Sequence, residues 1–306
     1  MYKLPNKLPS LRDSAQEWAD YAEFSAFNSN RISILNLIKA SQLTGDEIQV
    51  EGIEDETDQY INKTDEISIE LNHRINLMGD RYPFSLTDNA YSLEIKGGQH
   101  TSYLVYKFLL FATRISMKSD KVHNNLDGTK LFEELSAQVV SEFLGENANV
   151  DIIGTSNSDV GGFRTKLDTI AARIGEGTPI RQNPHYRPQD DTIDVIAWKG
   201  FSDKLSSQLI AFGQCKTGTS WRNRLSELNA EAFCKRWFST QPVVTPLRMF
   251  FCAQYFPKEI WYELTTTAGL VFDRFRIIDY LPEQLDQNLF NNLTRWTEAA
   301  HAKYLA

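Results

Sequence analysis

A chain of 306 residues, 42% apolar and 24% charged, has the composition of an ordinary folded protein and the length for two domains or one core with a large extension. Its three cysteines, Cys215, Cys234 and Cys252, have neither C-x-x-C spacing nor paired histidines, which argues against a zinc site or a disulfide framework and for a reducing compartment. The net charge of −8 argues at first against a nucleic-acid partner.

The charge is unevenly spread. Residues 160–255 hold 13 Lys/Arg against 8 Asp/Glu, while the rest of the chain holds 19 against 32. A basic module beside an acidic one is a usable DNA footprint, because phosphate contacts respond to local field. The opening MYKLPNKLPS is polar and broken by proline, unlike a secretory leader. The most apolar run, residues 103–115, is too short to span a bilayer and is interrupted by Lys107 and Arg114. A cytoplasmic protein with no membrane association is expected.

In chain order, residues 10–27 have helical spacing through Leu11, Ala15, Trp18, Ala22 and Phe24, and a second apolar segment covers 32–40. Residues 45–72 carry ten Asp/Glu against one lysine and read as an exposed acidic face. A short strand is expected at 91–95 and a largely buried helix at 101–117. Residues 118–129, rich in charge, Asn and Gly, are the best candidate linker. The division is therefore a mainly helical region 1–125, without recognisable chemistry, and a domain 126–306.

Asp127 precedes a strong helix from about Lys130 to Leu144, which Gly145 ends. Glu133 heads a row with Ala137, Val140 and Leu144 and leans towards the core. Glu134 heads a row with Gln138 and Ser141 and faces water. A carboxylate opening an apolar row is costly unless paired or metal-bound. The ordinary alternative is a helix-N-terminal glutamate favoured by the macrodipole.

A strand is expected at 150–153, then a Gly/Ser/Asn/Asp turn region, then a short helix 163–174 carrying Arg164, Lys166 and Arg173. Residues 175–189, with three prolines, form a long irregular loop holding Arg181, His185, Tyr186 and Arg187. Two apolar runs, 193–198 and 209–212, read as a hairpin. Asp194 opens the first strand, and Gln214-Cys215-Lys216 closes the second. Strand alternation puts Gln214 and Lys216 on one side and Cys215 on the other.

Oxygen ligands of this kind suit Mg²⁺, which takes one or two carboxylates, and a neighbouring lysine can hold or deprotonate a water. Asp190 and Asp194 share a face, Asp191 points away, and Asp194 ranks first. Residues 221–238 read as an amphipathic helix bearing Arg222, Arg224, Lys235 and Arg236, placed for phosphates or simply solvated. A buried strand at 247–255, a helix at 258–266, a last strand within 269–280 and a closing helix at 291–304 follow.

The segment Asp190 to Asp194, followed by Gln214-x-Lys216, resembles the PD-(D/E)xK nuclease signature, and more narrowly the Mrr-like restriction endonuclease branch, in which Q-x-K replaces the commoner acid-x-lysine. Phe132-Glu133 is similar to the Phe-Glu pair on that branch's first core helix. The likeness covers roughly residues 130–280. It implies an α/β (α+β) restriction-endonuclease-like core, a mixed central sheet flanked by helices. It implies a catalytic set Glu133, Asp194, Gln214 and Lys216, with Asp194, Glu133, Gln214 and the Cys215 backbone carbonyl as metal ligands. Mg²⁺ is the implied cofactor, with Mn²⁺ able to substitute.

The implied activity is hydrolysis of DNA phosphodiester bonds, in restriction or anti-phage defence, with Arg164, Lys166, Arg222, Arg224, Lys235 and Arg236 as DNA contacts. An ATPase or sensor protein acting through the N-terminal region, and homo-oligomerisation, are further partners that the resemblance suggests. The alternatives are a catalytically silent DNA-binding or scaffold protein of the same fold, and a structure-specific or RNA-directed nuclease. Fold alone does not choose among these.

Overall fold

The computed structural model describes residues 7–44, 53–88, 90–98, 100–153, 160–177, 192–203 and 205–305. The chain divides into two compact units, residues 3–115 with 297–306, and residues 116–296. No helix among the described residues is long and apolar enough to cross a membrane.

In the first unit, α1 (Ala15–Ser29) starts later than its apolar spacing suggests, because Ser14 caps it by accepting from the Glu17 amide. Strand β1 (Arg31–Ser33) and helix α2 (Ile34–Thr44) follow. The acidic stretch is no simple exposed face: its described part belongs to α3 (Ile53–Met78), which buries Thr64, Ile67, Leu71 and Arg74 at helical spacing. Strands β2 (Phe84–Thr87) and β3 (Ser92–Ile95) complete a three-stranded antiparallel sheet in the order β1-β3-β2. Helix α4 (Thr101–Arg114) is buried along most of its length. The region is thus helical with a small sheet, of which only β3 is expected from the sequence.

A buried charge network holds this unit together. The Arg74 guanidinium, fully buried, donates to Asp20 (2.7 Å), Glu23 (2.8 Å) and Glu70 (2.8 Å). The hydroxyl of Tyr106 donates to Glu23 at 2.8 Å, as does that of Tyr82 at 2.5 Å. Helices α1 and α3 are joined through it, so the acids of α3 are spent inside the fold as well as outside.

In the second unit, residues 118–129 form structure instead of a free connection. Strands β4 (Val122–His123) and β5 (Leu126–Asp127) pair as a small hairpin, and buried His123 packs edge-on against Trp296. Helix α5 (Gly128–Leu144) is capped by the Asp127 carboxylate, which accepts from the Thr129 amide. It ends at Gly145, whose φ of 75° suits glycine. Strand β6 (Ala148–Ile152), helix α6 (Val160–Ile174), strand β7 (Val195–Lys199) and strand β8 (Leu209–Lys216) follow.

The expected helix over 221–238 is broken. A 3₁₀ turn, Thr219–Arg224, comes first, and α7 (Ala230–Trp237) begins only after Asn229, whose side chain accepts from the Ala232 amide. Strand β9 (Leu247–Cys252), helix α8 (Trp261–Ala268), strand β10 (Leu270–Phe272), helix α9 (Arg274–Asp279) and helix α10 (Gln287–Leu305) complete the chain. The last expected strand is therefore three residues long. Its continuation turns helical where Asp273 caps α9 by accepting from the Arg276 amide.

The five strands form one mixed sheet in the order β10-β9-β8-β7-β6. Strands β6, β7 and β8 are antiparallel, whereas β8, β9 and β10 run parallel. Each parallel connection contains a helix, α7 or α8, as a crossover requires. Period-2 alternation sends Ile196, Trp198, Ile210 and Phe212 into a core with Phe163, Leu167, Phe233 and Trp237 of α6 and α7. The intervening residues, Val195, Ala197, Ala211 and Gly213, are small, and α5 packs against β6, β7 and β8. This mixed α/β architecture sets β7 and β8 side by side at the centre.

Candidate functional site

The antiparallel ladder of β7 and β8 ends at the pair Val195–Gly213. Just beyond it, the Asp194 amide donates to the Gly213 carbonyl at 2.9 Å, and the Asp194 carbonyl accepts from the Ile153 amide at 2.9 Å. Its backbone is thereby tied to both neighbouring segments. Its carboxylate then accepts from the Cys215 amide at 2.7 Å, taking the place of a backbone acceptor where the strands diverge. Asp194 thus sits against the peptide that precedes Lys216.

Burial pushes Asp194 up to about 6. The Cys215 amide and then the Lys216 ammonium oppose that push, and Glu227 adds to it. Lys216 and Asp194 are therefore within electrostatic reach, as the hairpin reading requires. Thr192, two residues earlier, has a φ of 48°, a conformation costly for a β-branched side chain. Its hydroxyl is buried with no partner among the described residues. Asp190, Asp191, Arg181, His185, Tyr186 and Arg187 lie outside the described residues.

Glu133 occupies the second turn of α5. Burial raises it to about 8, with the charges of Asp194 and then Asp127 adding to the effect. Glu134, expected to face water, is half-buried like Glu133, and its carboxyl is raised by burial first and then by the charge of Asp286, whereas Asp194 acts on Glu133. Cys215 lies on the α5 side, its thiol within hydrogen-bonding reach of Ser136. Burial first, then the charges of Asp194 and Glu133, hold that thiol far above its ordinary range, so it is a poor nucleophile.

Gln214 and Lys216 share the opposite side, as alternation demands, and both meet Glu227. The Gln214 Nε2 donates to Glu227 Oε2 at 2.9 Å, and the Lys216 Nζ lies 3.7 Å from the same oxygen. Gln214 is fully buried, yet its Oε1 has no hydrogen-bond partner among the described residues. An orphaned buried carbonyl costs about 1–3 kcal/mol, so natural folds seldom leave one without a ligand or water. It is a hard oxygen donor on the strand whose Cys215 amide binds the Asp194 carboxylate, and a neutral oxygen joined by carboxylates is the donor chemistry that fits Mg²⁺. Among the described residues no group of three His, Cys, Asp or Glu is placed to hold a metal.

Glu227 was not legible beforehand. A continuous helix over 221–238 would leave it as one polar residue on a solvated face, whereas the break before α7 folds it back onto β8. The start signal at Asn229 is the feature from which that break could have been read.

Of the six basic residues expected to meet DNA, Arg224 is drawn into the site by its contact with Glu227. Exposed Arg222 lies over the Trp221 ring. Arg164 lies 5.8 Å from the centre of the Trp237 ring, Lys166 donates to the Ile153 carbonyl at 3.1 Å, and Lys235 pairs with Glu231 one turn away. Arg236 is half-buried on α7. No protein-family model, no curated protein and no solved structure matches this chain.

Proposed function

We propose that the chain is a Mg²⁺-dependent deoxyribonuclease with a restriction-endonuclease-like core in residues 126–306, akin to the Mrr-like PD-(D/E)xK nucleases. The observation that carries this reading is the Gln214 Oε1, a buried oxygen without a hydrogen-bond donor among the described residues, on the strand that also carries Lys216 and whose Cys215 amide holds the Asp194 carboxylate. Two carboxylates held towards their protonated forms by burial mark a candidate functional site, and a bound cation would offset the cost of ionising them. The order helix, three antiparallel strands, then crossovers to parallel strands supports such a core.

In this reading Glu133, Asp194, the Gln214 side-chain oxygen and the Cys215 backbone carbonyl hold the ion. Bound Mg²⁺ supplies charge neutralisation at the phosphate and acidifies water. Mn²⁺ can replace it. Lys216 offers three donors and no acceptor while protonated, so it orients the attacking water and the phosphate oxygens, and it takes up a proton only from its neutral form. Arg222 and Arg224, following β8, meet the DNA backbone, and Arg164, Lys166, Lys235 and Arg236 extend the basic surface. By the same resemblance the enzyme acts in the cytoplasm in restriction or phage defence, with residues 1–125 engaging an ATPase or sensor protein and self-association completing the assembly.

The rival reading is a catalytically silent DNA-binding or scaffold protein. It draws on the absence of a third acidic, His or Cys ligand among the described residues. Purified protein with supercoiled and linear DNA, with and without Mg²⁺ or Mn²⁺, separates the two. Metal-dependent cleavage that falls at least about a hundredfold in Asp194→Ala and Lys216→Ala supports the nuclease. Cleavage equal in parent and variants rejects this site.

A further inference from the structure

We propose that Glu227 is a positioning residue of this site: it sets which end of the Gln214 amide is presented to the cation and holds the Lys216 ammonium in place. The inference deepens the nuclease reading and rests on it for the identity of the site, although not for its own test.

The argument begins with an ambiguity in the glutamine side chain. An amide has a donor end and an acceptor end of nearly equal size, and only its neighbours decide which faces where. An ionised carboxylate accepts and cannot donate. Glu227 Oε2 at 2.9 Å must therefore face the Gln214 Nε2, which leaves Oε1 as the end turned away. That end is the buried oxygen without a partner among the described residues. Turning the amide over would set two oxygens against each other at Glu227 and put N–H groups, which repel a cation, where Oε1 now lies.

The same Oε2 lies 3.7 Å from Lys216 Nζ, and the other carboxylate oxygen takes the Arg224 guanidinium. With its side chain 22% exposed, Glu227 is held by three partners and is little free to swing. One acid thus orders the neutral ligand and the lysine together. It also lies within electrostatic reach of Asp194. A glutamine at 227 could either donate to Gln214 or accept from it, so both orientations of Gln214 would be populated and the Lys216 contact would lose its charge.

The test uses the full chain and Mn²⁺ alone as the probe, with binding read by electron paramagnetic resonance, and DNA cleavage followed separately. Glu227→Gln is expected to weaken Mn²⁺ binding about three- to tenfold, with Glu227→Asp intermediate. The decisive comparison is in a Gln214→Leu background. If Glu227 works through the amide, adding Glu227→Gln there changes Mn²⁺ affinity by less than about twofold. The same fall in both backgrounds overturns the inference, since it would mean that Glu227 acts only as a distant charge. Unchanged Mn²⁺ affinity in Glu227→Gln also overturns it, as does a parent that binds no Mn²⁺. A parent that binds Mn²⁺ in a Glu227- and Gln214-dependent manner but cleaves no DNA upholds the positioning role and removes only the nuclease reading.

Discussion

Replacing Glu133 with glutamine tests the electrostatic premise of the site through stability alone. Burial raises the Glu133 carboxyl to about 8 from an ordinary 4.5. A group whose pKa is higher in the folded state contributes stability that is complete below its unfolded value and is lost as pH rises through the folded one. In metal-free protein this contribution is therefore present near pH 4.5 and gone by about pH 9. The displacement corresponds to roughly 5 kcal/mol at most, at about 1.4 kcal/mol for each pH unit.

Glutamine is close in shape and never ionises. In chelator, Glu133→Gln should then match the parent near pH 5 and exceed it by roughly 3–5 kcal/mol near pH 9. Urea unfolding followed by tryptophan fluorescence measures the difference across that range. Adding Mg²⁺ at pH 9 should stabilise the parent and narrow the gap, because the ion binds the ionised folded form. Parent and variant losing stability in parallel from pH 5 to pH 9 would refute the account of Glu133 as a strained, cation-seeking carboxylate.

Three further outcomes are expected. Arg74→Met leaves Asp20, Glu23 and Glu70 without their buried counter-charge and should cost about 3–5 kcal/mol in urea unfolding; a loss under about 1 kcal/mol would show that the network adds little. At Gly128, a Cβ would lie 2.7 Å from both Met117 Cε and the Trp296 ring, which is held by its indole N–H to the Lys121 carbonyl at 2.9 Å. Gly128→Ala should therefore lower stability by about 1–3 kcal/mol, and an unchanged melting temperature would contradict that packing. Arg222→Ala should weaken DNA binding uniformly across sequences and make the slope of log affinity against log salt shallower by about one; a slope equal to the parent's would take Arg222 out of the interface.

Which parts of this protein can be read from its residue order follows from how local each signal is. Asp127 and Gly145 bracket α5 because capping acts within one turn. The 3.6-residue period separates Glu133 from Glu134, and the period of two places Gln214 and Lys216 together with Cys215 opposed. The β7–β8 hairpin and the position of Asp194 at its mouth are equally local. The three-stranded sheet is not, since strands of three or four residues show too little alternation and exist only through pairing. The acidic run becomes a half-buried helix because Arg74 meets Asp20 and Glu23, more than 50 positions away.

The contact of Glu227 with Gln214 spans only 13 positions, yet it depends on the interruption of the helix before α7 and on two side chains meeting there. Periodicity assigns a face to each residue but says nothing of what stands opposite. Which oxygen is left unpaired is therefore decided by the folded arrangement alone, because hydrogen-bond satisfaction is a property of the whole packed neighbourhood.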